Sequence, residues 1–198
     1  MKKTQNRIIS PHAGLRLCLY VMLLAFASCK SCKKEVNAPP DATQTGANTA
    51  GCLIDGKAWV PRSTNGDRPI TGGYYASLPF RNSVVLNFFD TRDMVQLYVK
   101  SVNKPGRYPL SFDTNADPVY TTTKNFGIYY VGGFSIDDPD YNYITTSQYV
   151  GYVDFTVADT TNKLLAGTFA FDAIDIPSKR SIRVTEGRFD INQKTLFK

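Results

Sequence analysis

The sequence predicts an all-β domain, and three observations carry that prediction. Strand-forming residues are abundant: twelve tyrosines and twelve phenylalanines in 198 residues, with glutamate confined to Glu35 and Glu186. From Cys52 onward no apolar pattern keeps a 3.6-residue period for three turns. Short alternating runs recur instead, punctuated by Gly, Pro, Asn and Asp. About ten strands on short loops make a single antiparallel β-sandwich or barrel-like domain. Sequence alone does not choose between the two closures.

The runs justify this one by one. In "CLIDGKAWV", Asp55-Gly56 separates two apolar arms, which predicts a two-residue hairpin pairing Cys52 with Trp59. "MVQLYVK" sets Val95, Leu97 and Val99 against Gln96 and Lys100. Pro105-Gly106 suits the centre of a type II turn. "QYVGYVDFTV" puts Tyr149, Val153, Phe155 and Val157 on one side, and "LLAGTFAFDA" does the same with Leu165, Phe169 and Phe171. In "SIRVTEGRFDI" the phase of Ile182 and Val184 is opposite to that of Phe189 and Ile191. A one-residue β-bulge at Glu186-Gly187 restores both pairs to the core.

The N-terminus has a different character. Lys2, Lys3, Arg7 and Arg16 precede an apolar run from Leu17 to Ala27, and Ala27-Ser28-Cys29 closes it. A basic head, a short apolar stretch and small residues before a cleavage point read as a secretory signal. An eleven-residue run spans about half of a bilayer core, too little for a permanent membrane helix. The ending resembles a bacterial lipobox, with Phe26 where leucine is usual. Residues 1–28 are then a lipoprotein signal peptide and Cys29 the lipidated first residue. A cysteine suits that role because its thiolate is a good nucleophile. The rival readings of Cys29 and Cys32 are zinc and a redox couple. Zinc lacks ligands, since His12 is the single histidine, and a redox couple lacks a folded α/β setting.

Residues 29–51, poor in large apolar side chains, read as a flexible tether, and 52–198 as the β-domain. From Cys52 on there are 16 Lys+Arg against 15 Asp+Glu, a net of +1. The +6 of the whole chain therefore belongs to the signal and tether, and a nucleic-acid surface is not expected. Cys52 reads as a buried core thiol, with a disulfide to Cys32 as the competing reading.

Two segments, "ATQTGANTAGCLIDGKAWVP" and "LLAGTFAFDAI" with "RVTEGRFDI", resemble a family of Bacteroidota lipoproteins without assigned function, as does "PGRYPL" in the middle. The resemblance implies an envelope β-domain on the outer membrane and brings no catalytic residues. Those bacteria mark many surface-displayed lipoproteins with acidic residues just after the lipidated cysteine. Here the window is Lys30, Ser31, Cys32, Lys33, Lys34, which favours the periplasmic face.

Chemistry is mostly excluded. After His12 leaves with the signal no histidine remains, so Ser-His-Asp and Cys-His catalysis and histidine-ligated metals have no basis. Asp137, Asp138, Asp140 and Asn142 in "SIDDPDYNY" are the one acidic cluster. They read first as a solvated turn and second as an improvised calcium loop, since Tyr143 and Tyr149 occupy the glycine and glutamate positions of an EF-hand register. No cofactor is expected. Tyrosines beside glycines, as in "GIYYVGGF" and "DYNYITTSQYVGY", suggest a platform for sugar rings or plain strand residues. The sequence thus reads as a lipid-anchored, non-enzymatic binding or structural module, with a glycan or an envelope protein as partner. A lipocalin-like carrier of a small apolar ligand and an Asp-based glycan hydrolase are the alternatives. A filled core would favour binding and a hollow one the carrier.

Overall fold

The computed structural model describes residues 38–62, 68–76, 82–112, 124–132 and 140–196. Residues 1–37, Cys29 and Cys32 among them, lie outside these ranges. The described residues form eleven strands and one helical turn: β1 (Thr49–Ile54), β2 (Lys57–Trp59), β3 (Ile70–Tyr75), β4 (Ser83–Asp90), β5 (Asp93–Lys100), β6 (Gly106–Leu110), β7 (Phe126–Val131), β8 (Tyr141–Ile144), β9 (Gly151–Asp159), β10 (Leu164–Asp175), β11 (Ser181–Asn192) and α1 (Gln193–Leu196). All ladders between named strands are antiparallel, in the order β2-β1-β11-β10-β8-β7-β5-β4-β3, with β9 on β10 and β6 on β9.

The alternating residues drive the sheet to curl. Val84, Leu86 and Phe88 on β4 and Val95, Leu97 and Val99 on β5 are all fully buried. They face Leu165, Phe169 and Phe171 of β10 and Phe189 and Ile191 of β11 in one core. Phe88 and Phe169 lie four ladders apart in the sheet, yet their rings stack at 6.1 Å. Only a sheet curled on itself brings them together. Closure is completed with few backbone bonds. Arg62, just past β2, forms an isolated bridge to Asp90 of β4, and Gln193 Oε1 accepts the N–H of Tyr74 on β3 at 3.1 Å. The result is a strongly curled antiparallel sheet, sandwich- or barrel-like, wrapped on this core.

The hairpin forms as its turn residues demand. Asp55 and Gly56 take φ of 48° and 78°, both left-handed, and Cys52 pairs with Trp59. The β11 bulge falls where the phase change places it: Phe169 pairs with Gly187 and Phe171 with Val184, so Thr185 and Glu186 together oppose Ala170. The other local expectations are corrected in three places. Tyr149, set beside Val153 and Phe155 by alternation, precedes β9 in the turn where Thr146 N–H donates to its carbonyl, and joins neither core cluster. Thr156 bulges out of β9, so Ala158, not Val157, packs against the core. Gly106 takes a φ of 143°, away from a type II turn, and already opens β6. A second apolar cluster covers the opposite face of β4, β5 and β7, where Val85, Tyr98, Phe126 and Ile144 are buried and Tyr98 stacks on Phe126 at 5.0 Å.

The fold also starts earlier than residue 52. β1 begins at Thr49, and residues 40–48 run along the outer face of β11. Phe189 and Ile191 point inward, so Asp190 between them points outward. It is nevertheless only 1% exposed, because this strap covers it. Its carboxylate accepts hydrogen bonds from Thr43 Oγ1 (2.6 Å), Thr45 N (2.9 Å), Thr45 Oγ1 (3.3 Å), Gly46 N (2.7 Å) and Ala47 N (3.2 Å). Burial by itself would push the carboxyl up. The bonds from Thr43, Ala47, Gly46 and Thr45 outweigh it and hold the group below the usual aspartate range.

A depressed folded value contributes stability that is complete above the unfolded aspartate value of about 3.9 and is lost as pH falls through the folded one. Asp190→Ala should therefore lower the unfolding free energy at neutral pH by about 2–4 kcal/mol, read as a drop in urea midpoint. Asp190→Asn should remove the acid sensitivity below about pH 4 that this carboxylate contributes. An unchanged midpoint in both variants would show that the strap is not clamped by Asp190.

Candidate functional site

β10 changes neighbours near its end. β9 pairs with Leu164–Phe171, and β8 with Ile174 and Asp175. Between those two strands the chain leaves the ladder: Thr146 N–H donates to Tyr149 O at 2.7 Å, and Asp172 N–H to Val150 O at 3.1 Å. Gly151 lies where the departing strand touches β10. A Cβ there would come within 2.2 Å of Phe171 Cβ and 2.4 Å of Ala170 O, so only glycine fits without moving a strand.

This departure shapes a cleft on the outer face, with Tyr149 at its rim and Val150 beside it 53% exposed. One lobe, about 470 Å³, is lined by Asp55 and Gly56 of the hairpin turn, Tyr149, Ser181 and Ile182. The other, about 280 Å³, has Tyr152 and Val150 as walls and Ala170 among its lining residues. Asp172, Arg183 and Thr185 belong to both lobes. Strand pairing makes this arrangement, because Asp172 stands opposite Arg183 in the β10–β11 ladder.

Arg183 and Asp172 are committed to one another. Arg183 Nε donates to Asp172 Oδ1 at 2.9 Å, and the hydrogen bond raises the guanidinium further above its ordinary value. Asp55 Oδ1 accepts the Arg183 N–H at 2.9 Å, and the Asp55 N–H returns a bond of the same length to Arg183 O. Beside the second lobe, Arg107 is held by Asp154 through Nη2 at 3.0 Å and Nε at 3.2 Å. Its guanidinium covers the Tyr152 ring at 4.1 Å from the centroid, which fixes that ring by a cation–π contact.

A second group of polar and aromatic residues gathers at the ends of β7, β8 and β10. Tyr129 and Tyr143 stack at 6.0 Å, with Tyr141 a further 6.0 Å away. Tyr129 Oη donates to Asp93 at 2.9 Å, and burial together with that bond raises its ionisation well above the phenol range. Asp175, buried, accepts N–H bonds from Asn142 (3.1 Å) and Ser178 (2.9 Å). These contacts tie the ends of β7, β8 and β10 together.

The sequence candidates distribute as follows. Asp137 and Asp138 lie outside the described residues, as does Cys29. Asp140 is held by the Tyr130 hydroxyl, and Asn142 gives its backbone N–H to Asp175. Among the described residues no group of three or more His, Cys, Asp or Glu gathers as a metal site. Cys52 is a free, fully buried thiol pushed up to about 12 by desolvation, hence neither nucleophile nor ligand at neutral pH. Sequence reasoning missed Asp172 and Arg183. Only Tyr149 and Tyr152 carried a signal, as tyrosines beside a glycine.

The chain matches no protein-family model, and comparison with curated proteins and with solved structures finds no match.

Two outcomes follow from this geometry. With Cys18, Cys29 and Cys32 replaced by serine, a thiol reagent should label Cys52 only as fast as the domain unfolds; rapid labelling under native conditions would place the thiol at the surface. Arg183→Ala removes an ion pair whose side chains are 70% and 43% exposed. It should change stability by less than about 1 kcal/mol. A larger loss in thermal melting would make the pair structural.

Proposed function

We propose that this chain is a lipid-anchored domain of the cell envelope that works by binding, with Cys29 carrying the lipid and the outer cleft as its contact face. The observation that carries the reading is where space is found. The interior is occupied by interlocking rings: besides Phe88 on Phe169, Phe155 meets Phe189 edge-on at 5.5 Å, and Phe169 lies 6.4 Å from both Phe171 and Phe189. An apolar cargo would have to displace them, at a cost of the order of several kcal/mol per ring. The carrier alternative is correspondingly weak.

The hydrolase alternative asks for two carboxylates flanking a bond to be cleaved, one of them a proton donor. Asp55 and Asp172 are the carboxylates of the cleft, and both serve as acceptors for Arg183. What the cleft offers is hydrogen-bonding groups in fixed positions with aromatic walls, which is recognition chemistry. On this reading the window after Cys29, basic where an acidic one would mark surface display, favours the periplasmic face of the outer membrane.

The anchor is tested directly. Acyl chains contribute about 0.8 kcal/mol per buried CH₂, so several chains hold a domain firmly. Cys29→Ala should move the protein from a carbonate-washed membrane fraction to an uncleaved or soluble form. Full retention in washed membranes would reject Cys29 as the anchor. A filled interior further predicts no saturable uptake of an apolar fluorescent probe by the native domain. Stoichiometric uptake would restore the carrier.

A further inference from the structure

We infer that the outer cleft takes a neutral, polyhydroxylated ligand, a short stretch of glycan. This rests on the reading above that the domain binds through this face. Charge selects the class. Asp172 is paired with the Arg183 guanidinium, and the Asp55 carboxylate stands beside them on the Arg183 backbone N–H. An anion would meet both aspartates and find Arg183 already neutralised. A cation would compete with the Arg183 guanidinium for Asp172 and with the Arg183 backbone N–H for Asp55. A hydroxyl does neither, because it donates to a carboxylate oxygen and accepts from an N–H at the same time. Vicinal hydroxyls can therefore bridge the Asp172–Arg183 pair without breaking it, through bonds that are charge-assisted at both ends.

Shape points the same way. A sugar ring has hydroxyls on its edge and C–H groups on its faces, so it needs polar groups beside an aromatic wall. Tyr149 stands in one lobe beside Asp55 and Asp172, and Tyr152 in the other. Tyr152 is held in advance by Arg107, itself pinned to Asp154, so little order is lost on binding. The two lobes share Asp172, Arg183 and Thr185, so successive sugars would lie side by side over the ion pair. The first lobe, about 470 Å³, is within the range of small-ligand sites and the second, about 280 Å³, lies just below it, room for about one ring each.

The test uses the mature chain with Cys29→Ser, run on immobilised mannan, xylan, β-glucan and arabinogalactan, with polygalacturonate, alginate and heparin as anionic counterparts. The expected result is saturable retention on at least one neutral polysaccharide that survives high salt, since no net charge is neutralised. Arg183→Ala and Tyr149→Ala should each weaken it at least about tenfold, by loss of a charge-assisted bond or a stacking wall, with melting midpoints little changed. Retention on none of the neutral polymers, retention indifferent to both substitutions, or salt-sensitive binding confined to the anionic polymers would overturn the inference. Those outcomes leave the anchor reading intact, because Cys29→Ala is judged by fractionation. Retention accompanied by release of reducing ends would support the sugar site and overturn the non-catalytic reading.

Discussion

A strand has two edges, and β10 has three partners. That constraint shapes both the fold and the cleft. β11 takes one edge along most of its length, and β9 and β8 divide the other. Because they divide it, the sheet branches. One arm runs through β8, β7, β5 and β4 and curls until Phe88 reaches Phe169. The other runs through β9 to β6. The branch point is stitched by Asn125, whose side chain accepts from Lys100 N at 2.8 Å and donates to Pro109 O at 2.9 Å. On the outer surface the same branch lifts Tyr149 and Val150 away from the ladder and opens the cleft beside Asp172. Fold and site therefore share one cause.

Packing accounts for the choice of residues around this frame. Alternation puts one side of each strand on a common core, and the rings there meet edge-on or offset, as aromatic quadrupoles prefer. The β4–β5–β7 region is apolar on both faces, so "SVVL" and "LYV" are continuous rather than alternating. One buried group is not satisfied among the described residues: the indole N–H of Trp59 has no hydrogen-bond partner. Its ring fills space opposite Cys52, and that apolar burial is what its position provides.

Much of the fold was legible in the sequence, for identifiable reasons. The Asp55-Gly56 hairpin, the inward residues of β5 and β10 and the bulge before Gly187 are local patterns with one physical solution each. Tyr98 escaped because alternation assigns one face to the core and says nothing of a second apolar cluster behind it. The strap escaped because Thr43, Thr45, Gly46 and Ala47 have almost no apolar surface. They are held by hydrogen bonds to Asp190, more than 140 residues away. The cleft escaped for the same reason. Asp55 is 128 residues from Arg183, and only the β1–β11 and β10–β11 ladders bring Asp55, Asp172 and Arg183 together. Polar convergence across such separations leaves no period to read.

The strap has a mechanical consequence. Any tension applied to the chain ahead of residue 38 enters the domain through residues 40–48, meeting the Arg188 bond to Pro40 O and then the hydrogen bonds on Asp190 before it reaches β1. If they yield, the five residues from Thr43 to Ala47 can straighten to roughly 17 Å, as far as Asn48, which Asn192 and Thr195 hold separately. Asp190 thus lies on the path of such a pull ahead of the β1–β11 ladder.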